Sequence, residues 1–405
     1  MMIKNINTLH HRKMDFSKLV ISIFVIYTCV IYFVRATQLV ILLKPIIIML
    51  IITFSAYLIF SARKFKISTE ILLIFLFYIC VLINSARVLR FDDFTHFTIA
   101  ILVILISTTM KKENILIGIK LFIAFGFIYS LGSIFQKYYP DFFYNRVITI
   151  YTEGLQRDIL KVLRINEAYA GFTPQVAYTA GYISTSIGLI LGTWIIRPPK
   201  RRLLNLGILG ILFYGLFLTG KRGHFLFTVL SLVFVYIVIN SGNITRLLKA
   251  ISKQIVLAIS AAILIPIYLN RAGTSQAITR TLMVFRDLLN DSDVTSGRTT
   301  LYAVAWQLFL ENPILGIGWS EFKVSHSTGL LSSNMAIRSD VHNVYLQLLT
   351  ETGIGGFFLF TSMTLYCLFS TYKKIKVILK LKYKTNDFLL ILLASSLYIQ
   401  VFFLL

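Results

Sequence analysis

The chain has 405 residues, of which 57% are hydrophobic and only 14% are charged, and its mean hydropathy is +0.78. Soluble proteins average about half apolar and about a quarter charged residues, so this composition excludes a soluble single-core enzyme and a disordered protein. It predicts an all-α, polytopic membrane protein. In a soluble protein the net charge of +23 would suggest nucleic-acid binding, whereas here its meaning depends on where Lys and Arg lie relative to the spans.

Apolar runs that approach the about 20 residues needed to cross a bilayer predict eleven transmembrane helices. They divide the chain into N-terminal spans (1–135), a first long outer loop (136–172), central spans (173–269), a large outer loop (270–341) and C-terminal spans (342–405). In chain order the predicted spans lie near 19–34, 45–60, 71–86, 94–110, 114–135, 173–196, 203–218, 225–240, 254–269, 342–370 and 387–405.

The distribution of Lys and Arg predicts the orientation of these spans. With a cytoplasmic N-terminus, the inside segments carry 22 Lys and Arg, whereas the short outside loops carry six. Because short cytoplasmic loops are enriched in Lys and Arg, residues 136–172 and 270–341 are both expected on the outer side. Polar loops of this kind commonly carry binding and catalytic residues.

The short outer loop at 219–224 is the first candidate site, with the sequence Thr-Gly-Lys-Arg-Gly-His. Glycines allow backbone N–H groups to approach an anion closely, and the flanking glycines are expected to fix the direction of Arg222. Lys221 is a further candidate for substrate binding, although its ammonium group could instead extend to the lipid headgroups.

A helix is predicted in the large outer loop from Ser296 through Leu310. Ser296 is a plausible N-cap, and Pro313 follows the predicted end. Arg298 is therefore expected in the first helical turn, where a cation opposes the helix dipole. That placement is favourable if an anion such as phosphate binds there; the alternative is a surface ion pair with Asp293.

His342 opens the long tenth span and is expected in its first helical turn, at the outer membrane surface. The positive end of the helix dipole favours a neutral imidazole, which could act as a general base. Alternatively, His342 simply caps a span. Asn343 beside it is a candidate substrate-binding residue.

Arg164 in the first long loop could contact the anion proposed for Arg222 and Arg298, or could form an exposed ion pair with Glu167.

Three further patterns complete the sequence evidence. Residues 278–289 place apolar side chains on one helical face, which predicts a helix that lies on the membrane plane or packs on other loops. Lys120 and Glu351 are ionisable groups inside spans and could pair with each other. The histidines are scattered, and the chain has neither a C-x-x-C pair nor a nucleotide-binding fingerprint, so no metal and no cofactor is expected.

Three motifs follow one another in the second half of the chain. They are Gly220-Lys221-Arg222-Gly223, the run from Ser296-Gly297-Arg298 to Glu311-Asn312-Pro313-Ile314-Leu315-Gly316-Ile317-Gly318, and the run from His342-Asn343-Val344-Tyr345-Leu346 to Glu351-Thr352-Gly353. In this order they resemble the O-antigen ligase and O-antigen polymerase superfamily. The resemblance covers about residues 171–370, whereas the first half is similar only as a bundle of spans. The sequence ends at Leu405, at the end of a span, where family members often continue.

The resemblance implies a GT-C-like glycosyltransferase in the bacterial cytoplasmic (inner) membrane, with its active site on the outer face. Its donor would be a glycan on undecaprenyl pyrophosphate, and no nucleotide sugar, cofactor or required metal would take part. The two loop arginines of the family correspond to Arg222 and Arg298, and its histidine corresponds to His342. These arginines would bind the pyrophosphate, and the histidine would take the proton of the attacking hydroxyl.

Three functions are compatible with these patterns. The favoured one is a repeat-unit polymerase for O-antigen or capsule, and the alternative within the family is a ligase that transfers the glycan to lipid A-core or another acceptor. A transporter is the third, but polar or broken helices near the midplane in both halves would be expected, whereas the charges gather on the outer side. The expected partners are the lipid-linked glycan, the bilayer and a chain-length regulator, with no nucleic acid.

Overall fold

A computed structural model describes residues 16–37, 39, 43–61, 68–89, 91–108, 112–196, 201–240, 299–322, 341–380 and 387–404. Nearly all of these residues are helical. The helices are α1 (Phe16–Ala36), α2 (Leu43–Ser61), α3 (Thr69–Arg87), α4 (Asp92–Ser107), α5 (Lys112–Tyr138), α6 (Glu153–Asn166), α7 (Val176–Ile196), α8 (Arg202–Leu218), α9 (Arg222–Asn240), α10 (Thr299–Glu311), α11 (Val344–Lys380) and α12 (Asp387–Leu404).

Helices α3, α5, α7, α9 and α11 are long and apolar enough to cross a membrane, judged by length and composition. Shorter apolar stretches occupy α1, α2, α4, α8 and α12. Ten of the predicted spans thus coincide with helices, and the prediction of an all-α polytopic membrane protein is confirmed. The predicted span at 254–269 and the predicted surface helix at 278–289 lie outside the described residues, and the division into five segments stays a prediction.

Small residues let the central helices cross closely, as is common between membrane helices. A Cβ on Gly188 of α7 would overlap the Tyr398 ring of α12, whose hydroxyl donates to Ser184 O at 2.8 Å. On α8, a Cβ on Gly215 would overlap Ser130 of α5, whose Oγ donates to a backbone carbonyl of α8 at 2.6 Å. Helices α5, α7, α8 and α12 are therefore held together by close backbone approach as well as by apolar side chains.

Helices α9 and α11 run in the same direction through the bundle, and predicted site residues lie at or next to the start of each. Helices α3 and α11 are antiparallel, because Glu70 at the start of α3 pairs with Lys374 near the end of α11 at 3.0 Å. At its other end, α3 contacts the segment that follows α10, because Arg87 donates to Gly316 O. Helix α12 packs antiparallel to α11 and also to α9, where the rings of Phe402 and His224 lie 6.0 Å apart.

Residues 139–175, most of the first long loop, fold into a cap on this end of the bundle. Short helical turns lead into the amphipathic helix α6. The backbone N–H of Tyr169 donates to Leu218 O at 2.9 Å, and the N–H of Gly171 donates to Gln136 Oε1 at 2.8 Å. These bonds tie the cap to the ends of α8 and α5, so the loop is a structural neighbour of the turn that follows α8.

Candidate functional site

The loop between α8 and α9 is a tight turn, in agreement with the sequence prediction. Thr219 ends α8: its Oγ1 donates to Leu216 O at 2.7 Å and accepts the N–H of Lys221 at 3.3 Å. Gly220 has φ +62°, a conformation that favours glycine. Arg222 is half-buried and is the first residue of α9, so a cation occupies the positive end of the helix dipole. An anion bound beside the turn would offset that unfavourable placement.

A cavity of about 430 Å³ lies between α6 and this turn, and we call it the cap cavity. Its polar lining consists of Asp158 and Lys161 from α6, Gln175 from the segment before α7, and Lys221 from the turn. Alanine, valine, leucine, isoleucine and proline side chains form the rest of the wall. Lys221 thus faces a space that it shares with the first long loop, rather than lying alone at the end of a span.

Arg164 lies in the last turn of α6 and is exposed. Together with Arg157 and Lys161 it lines a shallow depression next to the cap cavity. The ion pair with Glu167 that the sequence allowed is not among the contacts of the described residues. Glu167 instead ends the helix with φ +45°, and its N–H donates to Leu163 O at 2.8 Å. The structure therefore groups Arg164 with the other cations of α6.

His342 does not lie in the first turn of the span, and that prediction was wrong. Asparagine is a strong N-cap: Asn343 Oδ1 accepts the N–H groups of Tyr345 and Leu346, both at 3.1 Å, so α11 begins only at Val344. His342 precedes the cap, is exposed and has φ +58°, a conformation uncommon outside glycine. The argument from the helix dipole is therefore weaker than the sequence suggested, although the residue is accessible from solvent.

Helix α10 agrees closely with the helix predicted in the large outer loop. It runs from Thr299 to Glu311, and Thr350 Oγ1 of α11 donates to Ala305 O at 2.9 Å, which ties the two helices together. Arg298 immediately precedes α10 and lies outside the described residues, as do its predicted cap and ion-pair partner. The prediction for Arg298 therefore stays a prediction.

Helix α11 is interrupted at Gly353, which has φ +66° and ψ −171°. The interruption leaves backbone groups without their partners in the helix, and residues 312–318 supply new ones. We call this contact between residues 312–318 and 350–354 the glycine junction. Its three backbone hydrogen bonds run from Ile317 N–H to Thr350 O at 2.9 Å, from Gly318 N–H to Glu351 O at 3.0 Å, and from Ile354 N–H to Pro313 O at 2.9 Å.

Glycine is needed on both sides of the glycine junction. Gly316 has φ +67°, and a Cβ there would lie 2.5 Å from the carbonyl carbon of Glu351 and from the nitrogen of Gly353. A Cβ on Gly353 would overlap the carbonyl group of Ile314. Arg87 of α3 completes the contact by donating from Nη2 to Gly316 O. The glycine spacing in the two motifs thus permits two stretches of backbone to touch.

Glu351, one of the two ionisable groups noted inside spans, is buried within this contact at 2% exposure. Its Oε2 accepts the N–H of Ser320 at 3.0 Å, and its Oε1 accepts from Gln347 Nε2 at 3.2 Å. Lys120 is exposed on α5, and its pairing with Glu351 is not among the contacts of the described residues. The carboxylate is therefore part of the support of the junction.

Three tyrosines of the cap, one buried and two half-buried, are not candidates for proton transfer near neutral pH. Burial raises the pKa of Tyr144, Tyr151 and Tyr169 above the usual range of phenols, so all three stay protonated. Tyr151 uses its hydroxyl to donate to Phe172 O at 3.0 Å. These residues support the cap, which leaves the cations as its chemically distinctive groups.

Sequence reasoning missed several residues of this region. Lys161 and Arg157 could have been found, since with Arg164 they are spaced four and three residues apart and so share one helical face. Arg87 gave no such signal: it is a cation at the end of a span, and its contact Gly316 lies 229 residues further along the chain.

A comparison with known families matches residues 207–361 to the family described as O-antigen ligase. The match begins inside α8 and ends inside α11, so it contains the α8–α9 turn, α10 and the glycine junction. A search of curated proteins finds none that matches the chain. The family match agrees with the resemblance drawn from the motifs. Residues 207–361 of this helical membrane protein are thus similar to the O-antigen ligase family.

Proposed function

We propose that the protein is a glycosyltransferase that uses an oligosaccharide on undecaprenyl pyrophosphate as donor, at the outer face of the bacterial cytoplasmic membrane. Its reaction would be the polymerisation of repeat units of an O-antigen or capsule. One observation carries most of the argument: Lys221, the neighbour of Arg222 in the α8–α9 turn, lines a cavity together with Lys161 of α6. A pyrophosphate carries about two or more negative charges, and cationic donors bind phosphate strongly.

In this proposal, Arg222 and Arg298 bind the donor pyrophosphate and stabilise the charge that develops as the glycosidic C1–O bond breaks. The hydroxyl oxygen of the acceptor forms the new bond to C1, and the pyrophosphate leaves with the bonding electron pair. His342 takes the hydroxyl proton as general base. Arg164 and Lys221 add positive charge that attracts the lipid-linked substrates, and Asn343 caps the start of α11 directly after His342.

The ligase alternative uses the same donor and differs in its acceptor, lipid A-core or another molecule. The matched family is described as O-antigen ligase, so the ligase is the second candidate function. A transporter would use the free backbone groups of broken helices to bind cargo. At the break in α11 those groups are already bonded to residues 312–318, which argues against that use.

The decisive experiment reconstitutes the purified protein in liposomes with one lipid-pyrophosphate-linked repeat unit and separates the products on a gel. A ladder of increasing length without another acceptor supports the polymerase. Donor consumption only after lipid A-core is added supports the ligase, and no consumption with several donors contradicts the glycosyltransferase proposal. Adding EDTA is expected to leave the rate unchanged, and addition of a chain-length regulator is expected to narrow the ladder.

A further inference from the structure

The cap cavity has the composition of a site for an amphiphilic anion. Two ammonium groups line it, those of Lys161 and Lys221, against the single carboxylate of Asp158. The net charge of the lining is therefore positive. Gln175 adds an amide, and the rest of the wall is apolar. A ligand with a charged head and a hydrocarbon tail would match both parts of such a wall.

The two lysines reach the cavity from separate elements that tertiary contacts hold together. Lys161 belongs to α6 within the cap, and Lys221 belongs to the α8–α9 turn. The hydrogen bond between Tyr169 N–H and Leu218 O fixes the cap against the end of α8, directly before that turn. The cavity is therefore part of the folded arrangement and not a groove along one helix.

The positive charge continues from the cavity to the protein surface. Lys161 lines both the cap cavity and the neighbouring depression, whose other cations are Arg157 and Arg164. On another face of α6, Ile159 is buried and Leu155 is half-buried, and both belong to the apolar wall of the cavity. A basic face opposite an apolar one is typical of helices at a membrane surface, so an anionic lipid headgroup could follow the cations of α6 into the cavity.

The size of the cavity limits what it can hold. Its volume of about 430 Å³ lies toward the lower end of the roughly 300–1,000 Å³ found for small-molecule sites. That space is too small for an oligosaccharide together with its lipid. It suits a pyrophosphate group with the first isoprenyl units of its chain, because lysine binds phosphate as a compact point charge.

We propose that the cap cavity binds the pyrophosphate and first isoprenyl units of the lipid-linked acceptor, at a site separate from the donor site of Arg222 and Arg298. The proposal rests on the proposed function for the identity of this lipid, because a repeat-unit polymerase holds two lipid pyrophosphates at once. No bond is made or broken in the cavity. Lys161 and Lys221 position the acceptor so that its terminal sugar reaches the donor.

The test measures binding of sugar-free undecaprenyl pyrophosphate to the purified full chain in phosphatidylcholine nanodiscs. The Arg222→Ala variant serves as background, because it weakens the donor site. In that background, the double substitution Lys161→Ala and Lys221→Ala is expected to weaken binding about tenfold or more, because hydrogen bonds from charged donors to the pyrophosphate are lost. Lys161→Arg is expected to retain binding. Lys373→Ala, an exposed lysine near the other end of α11, is the matched control and is expected to change nothing.

Two results would overturn the assignment. One is a double lysine variant that binds the lipid as tightly as the background protein. The other is displacement of the lipid pyrophosphate by phosphatidylglycerol at equal concentration, since that would make the cavity a general site for anionic headgroups. Inorganic pyrophosphate is expected to compete only weakly, because it lacks the chain that contacts the apolar wall.

A transfer assay separates failure of this proposal from failure of the proposed function. With donor in excess and a fluorescent, short-chain acceptor varied, Lys161→Ala is expected to raise KM for the acceptor about tenfold while kcat changes little. Polymer formation with an unchanged KM refutes the acceptor site and leaves the function intact. If the protein makes no polymer under any condition but still binds the lipid through the two lysines, the polymerase function is refuted. The cap cavity would then remain a binding site for a lipid pyrophosphate.

Discussion

The glycine junction and the cap cavity are built from different parts of the chain and from different kinds of contact. At the junction, backbone bonds join residues 312–318 to 350–354, and side chains are excluded because a Cβ would not fit. Around the cavity, the distinctive groups are long cationic side chains carried by a helix and a turn. We therefore expect substitutions at the junction to change the stability of the fold, and substitutions at the cavity to change the binding that we propose for it.

The largest effect is expected at Gly353, and it would test the structural half of the comparison. In Gly353→Ala, the new Cβ overlaps the carbonyl group of Ile314. The alanine would also have to adopt a backbone conformation that is open essentially to glycine alone. We expect a loss of roughly 3 kcal/mol or more of stability, seen as a large fall in the unfolding temperature in detergent. Gly355→Ala is the matched control, because a Cβ there meets nothing within 4 Å; an equal fall in both variants would contradict the junction.

The next effect concerns catalysis without loss of fold. His342→Asn removes the imidazole while keeping a residue type that tolerates a positive φ, and Arg222→Ala removes one cation from the donor site. Each variant is expected to lower the rate of transfer by about 10²- to 10⁴-fold with an unchanged unfolding temperature. Near-normal transfer by His342→Asn would remove the general base, and near-normal transfer by Arg222→Ala would remove the pyrophosphate role.

A smaller effect is expected from Arg87, whose side chain supports the junction from α3. Arg87→Gln removes the cationic donor to Gly316 O, and loss of such a hydrogen bond at an exposed side chain costs about 1 kcal/mol. Thermal unfolding is expected to show a decrease of a few degrees, well below that of Gly353→Ala. The same substitution at the exposed Arg146 of the cap is the control, and a decrease of equal size there would show that Arg87 has no special role.

The smallest effect is expected from Arg164, at the outer edge of the basic face of α6. Arg164→Gln leaves the cap cavity complete and removes a charge that lines only the depression. Binding of the lipid pyrophosphate is expected to weaken about two- to threefold at low salt and to be unchanged at high salt, because exposed charges are screened. Salt-independent weakening would mean that Arg164 contacts the ligand directly.

Most of the helical fold could be predicted from the sequence because each span is a local pattern. A run of apolar residues must form a helix in a bilayer whatever its neighbours are, and ten predicted spans coincide with helices in the described part of the chain. The start of α11 was misplaced by two residues for an equally local reason. Asn343 can cap the helix with its own side chain, and the sequence alone did not rank it above His342.

The contacts between distant segments were the part that could not be predicted. The family motifs contain Gly316 and Gly353, but their spacing does not say that the two glycines touch. The pairing of Arg87 with Gly316 and the shared cavity of Lys161 and Lys221 have the same character. They arise from how helices pack, which depends on many weak side-chain contacts and not on any periodicity within one segment.

The bonds at Gly318 and Glu351 also fasten both ends of the stretch that lies between them. The Gly318 N–H and Glu351 O groups are far apart in the sequence but lie 3.0 Å apart in the fold. The entropy cost of closing a chain segment grows only slowly with its length, so the stability of the glycine junction depends little on how many residues separate its two sides.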